Sequence, residues 1–483
     1  MMIQDLEPKN VWINFSKLNA VPRASKKERQ VIDFIKSFGN NLNLSVYEDE
    51  VGNVIIKKPA ATGMENKSPV CLQSHLDMVH QKNNDTNFDF AKQGIDMYVD
   101  GDWVKAKGTT LGADNGMGVA AIMTVLASTD ILHPAIEALF TIDEETGMTG
   151  ALALKGGLLD AKYMLNLDTE EDNELTIGCA GGIDVTGTGV YEETKPIDNS
   201  IAFKINIKGL KGGHSGIEIH KGLANANKLM NRFLWNASKQ IGFQISSIDG
   251  GSLRNAIPRE SAAEIFVAEK DIEAFEKLIK DYAVIYKSEY QFTDPNLSFE
   301  FEKINAMQNV LDAKTQTNLL NSIYAIPNGI FRMDSNIAGL VQTSNNLARV
   351  VVKNGNYSVQ CLTRSSVNSE KMDLANMIES AFNMLGAATN FAGNYPGWTP
   401  KPDYEIVKLM VAKYKELHNN EEPLVNACHA GLECGILGTN YPTMQMISFG
   451  PTIHGAHSPD EKVNINSVQK FWKYLLAVLK DIN

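Results

Sequence analysis

Four apolar runs in this chain each lead into a histidine or a carboxylate, and that recurrence limits the possible folds more than any other feature. Val70-Cys71-Leu72-Gln73-Ser74 runs into His75-Leu76-Asp77. The run 136–142 meets Asp143-Glu144-Glu145, and the run 163–167 meets Asp168. The run 444–449 leads to a loop carrying His454 and His457. In a fifth segment, Asp114 opens a helix after a glycine-containing loop, with Val119, Ile122, Met123 and Leu126 on one face. Short apolar runs alternating with helical periodicity predict an α/β layer structure with a mostly parallel sheet and flanking helices. The carboxyl ends of such strands share one rim, where open α/β sheets bind ligands. Five segments would then bring His, Asp and Glu side chains together.

Other segments complete the layout. Ser25 and Glu28 have the spacing of a capping box, followed by Val31, Phe34, Ile35 and Phe38 at helical intervals. The last helix is expected over 466–482, with Val468, Phe471, Trp472, Leu475, Leu476 and Leu479 as its apolar stripe. The middle of the chain reads differently. Ile201, Phe203, Ile205 and Ile207 alternate as in a half-buried strand. Asn354-Gly355 is a hairpin turn signal between strand candidates 349–352 and 357–362, and 271–287 is helical. Gly178-Cys179-Ala180-Gly181-Gly182 and Gly393-Asn394-Tyr395-Pro396-Gly397 bracket this α+β stretch. The layout implies an insert, 183–394, within an α/β domain made of 1–182 and 395–483.

Composition narrows the function classes. A chain of 483 residues, 43% hydrophobic and 21% charged, is globular. At roughly 100–200 residues per domain it has room for two to four. A net charge of −12 argues against nucleic-acid or anionic-membrane partners. Five scattered cysteines with no C-x-x-C pair give neither a disulfide framework nor a thiolate zinc site. The start lacks a basic, then apolar, leader, and no run of 18 apolar residues occurs, so a cytoplasmic protein without membrane contact is expected.

Two histidines and several carboxylates, without thiolate, suit a divalent ion such as Zn2+, Mn2+ or Co2+. One ion rarely needs so many donors. Two ions about 3.5–4 Å apart need a carboxylate that bridges them and about two terminal ligands each. Singly, every segment has a plainer reading: Asp114 and Asp168 as helix caps, Asp143-Glu144-Glu145 as a solvated turn, His457 as a loop histidine. Their joint occurrence at strand ends favours the metal site. Gly112-x-x-x-Gly116-x-Gly118 also opens a helix and could suggest phosphate binding. It lacks the G-x-G-x-x-G order, the chain has no Gly-Lys step for a P-loop, and Asp114 would repel phosphate.

The chain resembles the dizinc exopeptidase family of carnosinases, aminoacylases and glutamate carboxypeptidase. The resemblance is carried by Ser74-His75-Leu76-Asp77-Met78-Val79, Gly112-Ala113-Asp114-Asn115-Gly116, Asp143-Glu144-Glu145-Thr146-Gly147, Leu167-Asp168-Thr169-Glu170-Glu171 and Gly455-Ala456-His457-Ser458-Pro459-Asp460-Glu461. Within the family it is most similar to the bacterial dipeptidases that act on aminoacyl-histidine. That similarity rests on Gly178–Asp184, Leu210–Gly216, Leu253–Glu260 and His429-Ala430-Gly431-Leu432-Glu433-Cys434-Gly435.

The resemblance implies two Zn2+ per chain, with Mn2+ or Co2+ able to substitute. Asp114 would bridge the ions, His75 and Asp168 would complete one site, and Glu145 and His457 the other. Asp77 would orient the His75 imidazole. Glu144 would be the general base. His214 would stabilise the oxyanion, in some relatives from a second subunit. Arg364 would grip the substrate carboxylate. Asn255 and Gly431 would add substrate contacts, and Glu433 would receive the ammonium, with His429 nearby. The resemblance makes the insert a lid or dimerisation domain, of a kind found both in dimers and in monomers that mimic a dimer, and a homodimer is the expectation. The implied reaction is hydrolysis of unblocked dipeptides, including Xaa-His and beta-alanyl-histidine. A tripeptidase, aminoacylase or other deacylase of the same family is the alternative.

Overall fold

The computed structural model describes residues 2–305 and 309–483. By internal contacts the chain divides into two units. The first comprises the residues through Gly178, Trp398–Ala427 and Leu432–Asn483; the second comprises Cys179–Gly397 and Cys428–Gly431. The short piece 428–431 thus packs with the second unit.

The first unit is built on an eight-stranded sheet in the order Ser45–Glu48, Val54–Lys58, Ile136–Thr141, Val70–His75, Tyr163–Asn166, Gln445–Ser448, Glu174–Cys179, Leu424–Cys428. Its central four strands are parallel, with Val70 opposite both Ile136 and Tyr163, and Met446 opposite Met164. Antiparallel strands flank them on either side. Every residue of Val70–His75, Ile136–Thr141 and Tyr163–Asn166 is buried. Parallel strands covered on both faces are mostly apolar, here with Gln73, Ser74 and Glu137 as buried exceptions, which is why the runs stand out in the sequence.

The helix Ala113–Ala127 is buried along most of its length. Gly118 lies close against the sheet strand carrying Ser74. A Cβ there would lie 2.2 Å from Asn115 Oδ1 and 2.3 Å from Ser74 Oγ, so only glycine allows the approach. The C-terminal helix runs Ile465–Asp481, with the Asn464 side chain accepting the Ser467 N–H as its cap. Val468, Phe471, Tyr474, Leu475, Val478 and Leu479 are its buried face, while Trp472 and Leu476 are only half-buried.

The capping box expected at Ser25 does not form. The helix is Arg29–Asn41, with Glu28 at its N-cap position. The Ser25 hydroxyl instead donates to Asp77 Oδ2 at 2.8 Å, a charge-assisted tertiary bond that holds it ahead of the helix.

The second unit holds a nine-stranded sheet whose pairings are antiparallel among the described residues. Its long hairpin, Val341–Lys353 with Asn356–Ser365, turns at Asn354-Gly355. Helices Ala226–Ala237, Ile272–Glu289, Ala313–Ala325 and Asn368–Leu385 pack on it around a core that includes Phe203, Phe233, Phe275, Tyr286 and Phe382. The hairpin places Ser344 directly opposite Arg364. No helix among the described residues is long and apolar enough to cross a membrane.

Candidate active site

In the first unit, the strand ends bring the expected metal-site residues together. The strand Val70–His75 delivers His75 at its last position. Thr141 closes the neighbouring strand, and the chain then turns through Asp143, at φ 52°, into the short helix Glu144–Gly147. Asp168 follows the strand Tyr163–Asn166. Asp114 lies at the start of its helix but has non-helical angles, φ −81° and ψ 113°, which turn its carboxylate away from the helix course.

Asp114 faces a different imidazole with each oxygen. Oδ1 is 3.2 Å from His75 Nε2, and Oδ2 is 3.5 Å from His457 Nε2. Asp168 Oδ1 is 3.4 Å from His75 Nε2. Glu145 Oε2 is 2.9 Å from His457 Nε2. The ligand atoms of His75, Asp114 and Glu145 lie within 4.8 Å of one another. This donor set sorts into two groups, His75 with Asp168 and His457 with Glu145, sharing Asp114.

The His75 Nδ1 edge faces only acceptors, the Asp77 backbone carbonyl at 3.2 Å and Asp77 Oδ1 at 3.4 Å. Nδ1 therefore carries the proton in the neutral ring, leaving the Nε2 lone pair on the side of Asp114 and Asp168. Asp77 also accepts the backbone N–H groups of Glu144 at 3.0 Å and Glu145 at 3.3 Å.

The electrostatics show how much negative charge is concentrated here. Burial would lower His75, but Asp168, Asp114 and Asp77 raise it well above the usual imidazole value. Hydrogen bonds to Asp114 and Glu145 push His457 up to about 11. Burial would lift Asp114, yet His457 and His75 hold it below the carboxylate range. Burial raises Glu144 well above its usual value, and Asp168, Glu145 and Glu433 add to the shift. Protons held on the His75 and His457 rings balance part of this negative charge. A divalent ion would take their place, so the residues present fit a metal.

Several neighbours had no role read from the sequence, although Asn115, Asp143 and Glu170 lie within its motifs. Asn115 Nδ2 donates to Asp168 Oδ1. Glu28 and Asp143, both buried, lie beside Asp77. Arg23, 1% exposed, donates to the carbonyls of Leu76, Asp77 and Gly112. Glu170 is pushed up to about 8 by burial and then by Asp114 and Asp168. Glu461 was visible only as the end of the His457 motif.

Glu433 begins the helix Glu433–Asn440 and is 1% exposed. Its Oε2 accepts from Gln73 at 2.7 Å and Thr141 at 2.6 Å, while Oε1 has no hydrogen-bond partner among the described residues. Burial lifts it to about 7.

The second unit gathers His214, Arg364 and His429 around Gly216. A Cβ on Gly216 would lie 2.2 Å from the His429 carbonyl, 3.1 Å from the His214 ring and 3.3 Å from Arg364 Nε. His214 Nδ1 accepts the N–H groups of Gly216 at 3.2 Å and Ile217 at 3.0 Å, which puts the ring proton on Nε2. Burial and the Arg364 charge lower His214 to about 4, keeping the ring neutral near pH 7. Arg364 is buried and donates from Nη1 to the Tyr395 hydroxyl at 2.9 Å, while its Nε has no partner among the described residues. The His429 ring meets the Ser344 hydroxyl at 2.8 Å, and burial with Arg364 lowers it to about 3. The Asn255 carbonyl accepts the Ser215 N–H at 2.8 Å, tying it to the loop after His214. Gly431 ends the piece that packs with this unit.

The model for Peptidase family M20/M25/M40 matches residues 71–481. The chain belongs to this peptidase family. It is 42% identical over 480 residues to the cytosol non-specific dipeptidase of Escherichia coli (strain K12), covering 99% of each chain. The crystal structure of aminoacylhistidine dipeptidase from Vibrio alginolyticus superimposes with a TM-score of 0.94 at 41% identity, covering 100% of this chain and 98% of that one. Aminopeptidase PepT from Bacillus cereus matches at a TM-score of 0.58 and 15% identity over 99% of both chains, a likeness of fold. The sheet with its antiparallel second unit is thus the architecture of this peptidase family.

Proposed function

We propose that this peptidase hydrolyses unblocked dipeptides, Xaa-His and beta-alanyl-histidine among them, using two divalent ions, Zn2+ by preference with Mn2+ or Co2+ as substitutes. The observation that carries the metal proposal is the division of Asp114, one oxygen toward His75 and the other toward His457. His75 and Asp168 would hold one ion, Glu145 and His457 the other, and Asp114 both. When bound, such a pair lowers the pKa of a water and polarises a carbonyl.

The chain's own groups supply the rest of the proposed chemistry. Glu144, anchored through its backbone N–H to Asp77, takes the proton of the attacking water and returns it to the leaving amine. Asp77 holds the His75 ring by its Nδ1 edge. His214 offers an Nε2–H that its Nδ1 contacts have already selected, suited to a developing oxyanion. Arg364 has a buried Nε without a partner, suited to a substrate carboxylate. Asn255 and Gly431 are proposed as contacts to the peptide. Glu433, with its unpartnered Oε1, is proposed to read the ammonium end.

The dipeptide preference is supported by the relatives at 42% and 41% identity, which are named as dipeptidases. Comparing kcat/KM on Ala-His, beta-alanyl-histidine, a tripeptide and an N-acetyl amino acid tests it. Dipeptides are expected to lead. Faster turnover of the tripeptide or the acylated substrate would move the assignment to a tripeptidase or an aminoacylase. A cytoplasmic setting is part of the proposal, in line with the relative named as cytosolic. A homodimer through the second unit is another part. It is supported by exposed Met377, Met384 and Phe391 on the helix Asn368–Leu385 and the edge strand Ala388–Tyr395. Sedimentation equilibrium checks it, with a dimer mass expected and a monomer mass contradicting it.

A further inference from the structure

Gly112, two residues before Asp114, is gripped from both sides of its peptide. Glu461 accepts its N–H at 2.9 Å, and Arg23 Nη2 donates to its carbonyl. Glu461 holds more than this one residue. Oε2 also accepts the Leu111 N–H at 2.6 Å, and Oε1 accepts those of Ala113 at 2.7 Å and Asp114 at 3.3 Å. Four successive backbone donors on one buried carboxylate leave the approach to Asp114 little freedom.

The two charges also tie the loop to the other metal-site segments. Glu461 lies four residues after His457, and its N–H donates to the Ser458 carbonyl at 3.1 Å, so the His457 loop and the Asp114 loop share one anchor. Arg23 Nη1 donates to the carbonyls of Leu76 at 3.2 Å and Asp77 at 3.0 Å, just past His75. Gly112 has φ +70°, and a Cβ there would fall 2.4 Å from Arg23 Nη2 and 2.8 Å from Met78 Sδ. The clamp therefore fits closely around a residue that must be glycine.

We infer that Glu461 and Arg23 form a charge clamp on Gly112 that sets the position of Asp114, making Glu461 a positioning residue for the metal pair. The inference rests on Asp114 as a shared metal ligand. Outer partners of metal ligands act on affinity by holding donor atoms where the ion needs them, and losing one typically weakens binding about 10–100-fold. Glu461→Gln replaces one acceptor oxygen with an NH2 group facing backbone N–H donors, so it should release one side of the clamp.

The test is Zn2+ affinity, measured by competition with a chromophoric chelator, on stripped wild type and stripped Glu461→Gln. Near-UV circular dichroism and the thermal midpoint in chelator report the metal-free fold. The expected result is a folded variant that binds Zn2+ about 10–100-fold more weakly, with little added loss when Asp114→Asn is already present. A folded Glu461→Gln with wild-type affinity would overturn the clamp. A purely structural role would lower the metal-free midpoint without moving the affinity, and would overturn it too. Should Glu461→Gln not fold, the same titration is read on Gly112→Ala, which strains the clamp but keeps both charges. Weak binding there supports the inference; wild-type affinity, or failure of that variant to fold as well, counts against it. A wild type that binds no metal at all would remove the reading of Asp114 rather than the clamp.

Discussion

Oδ1 of Asp77 accepts the backbone N–H of Glu144 at 3.0 Å. The same oxygen lies 3.4 Å from His75 Nδ1, so one buried carboxylate sets both the imidazole edge and the start of the helix carrying the proposed base. Asp77→Asn keeps the size but offers an NH2 group to one of these donors. Weaker Zn2+ binding by about 10–100-fold is expected, together with a fall in kcat. Chelator competition and steady-state kinetics on one preparation check this. Loss of either property alone would contradict the double role.

Glu144→Gln removes the proton acceptor and retains the side chain's volume. General acid–base groups contribute typically about 100–10,000-fold, so kcat on Ala-His should drop by that order. Metal content should match wild type and the variant should fold, since Glu144 is not among the proposed ligands. A near-normal kcat would rule Glu144 out as the base.

Arg364→Ala should raise KM for dipeptides more than it lowers kcat. A hydrogen bond to a charged group is worth about 1.5–3 kcal/mol, or about 10–100-fold in kcat/KM. Wild type should also disfavour Ala-His amide, which lacks the carboxylate, and the variant should lose that discrimination. Undiminished preference for the free acid in Arg364→Ala would place carboxylate recognition elsewhere. Tyr395→Phe, which removes only the hydroxyl that Arg364 touches, should have a smaller effect of the same kind.

Burial lifts Glu433 from 4.5 to about 7. Below pH 4.5 the folded and unfolded chains both hold this proton. Between 4.5 and 7 the unfolded chain releases it while the folded chain keeps it, so rising pH removes stability, and above 7 the loss is complete. The shift corresponds to at most about 3 kcal/mol. Metal-stripped wild type should therefore lose stability from this group between pH 4.5 and 7, and Glu433→Gln should lack that component. Urea unfolding of both proteins across this range measures it. A stability difference between them that is independent of pH would contradict the shift.

The sequence and the structure agree most closely where burial forces a simple pattern. The parallel strands 70–75, 136–141 and 163–166 are covered on both faces, so they are mostly apolar, with Gln73, Ser74 and Glu137 as buried exceptions, and the charged residue at or after each strand end is conspicuous. His75, Asp114, Glu145 and Asp168, at strand ends or a helix start, and His457, in a loop, lie together, as their places in the pattern implied. The supporting residues were not. Arg23 and Glu461 act through backbone carbonyls and N–H groups about 90 and 350 residues away in sequence, and such contacts leave no spacing to read. Ser25 misled for the opposite reason. Its local pattern fits a capping box, but a tertiary bond to a carboxylate fifty-two residues on, Asp77, holds it ahead of the helix. The piece 428–431 joins the second unit although both neighbouring segments belong to the first, a choice made by packing rather than by local composition.

The central claim is a metal pair shared through Asp114. Its most direct test is a Zn2+ titration of chelator-stripped protein, with bound metal counted and Ala-His hydrolysis followed on the same samples. The account predicts that activity is absent without metal and returns as occupancy approaches two Zn2+ per chain, and that Asp114→Asn binds markedly less. Hydrolysis that survives chelation, or full activity in a protein that never holds more than one ion, would contradict it.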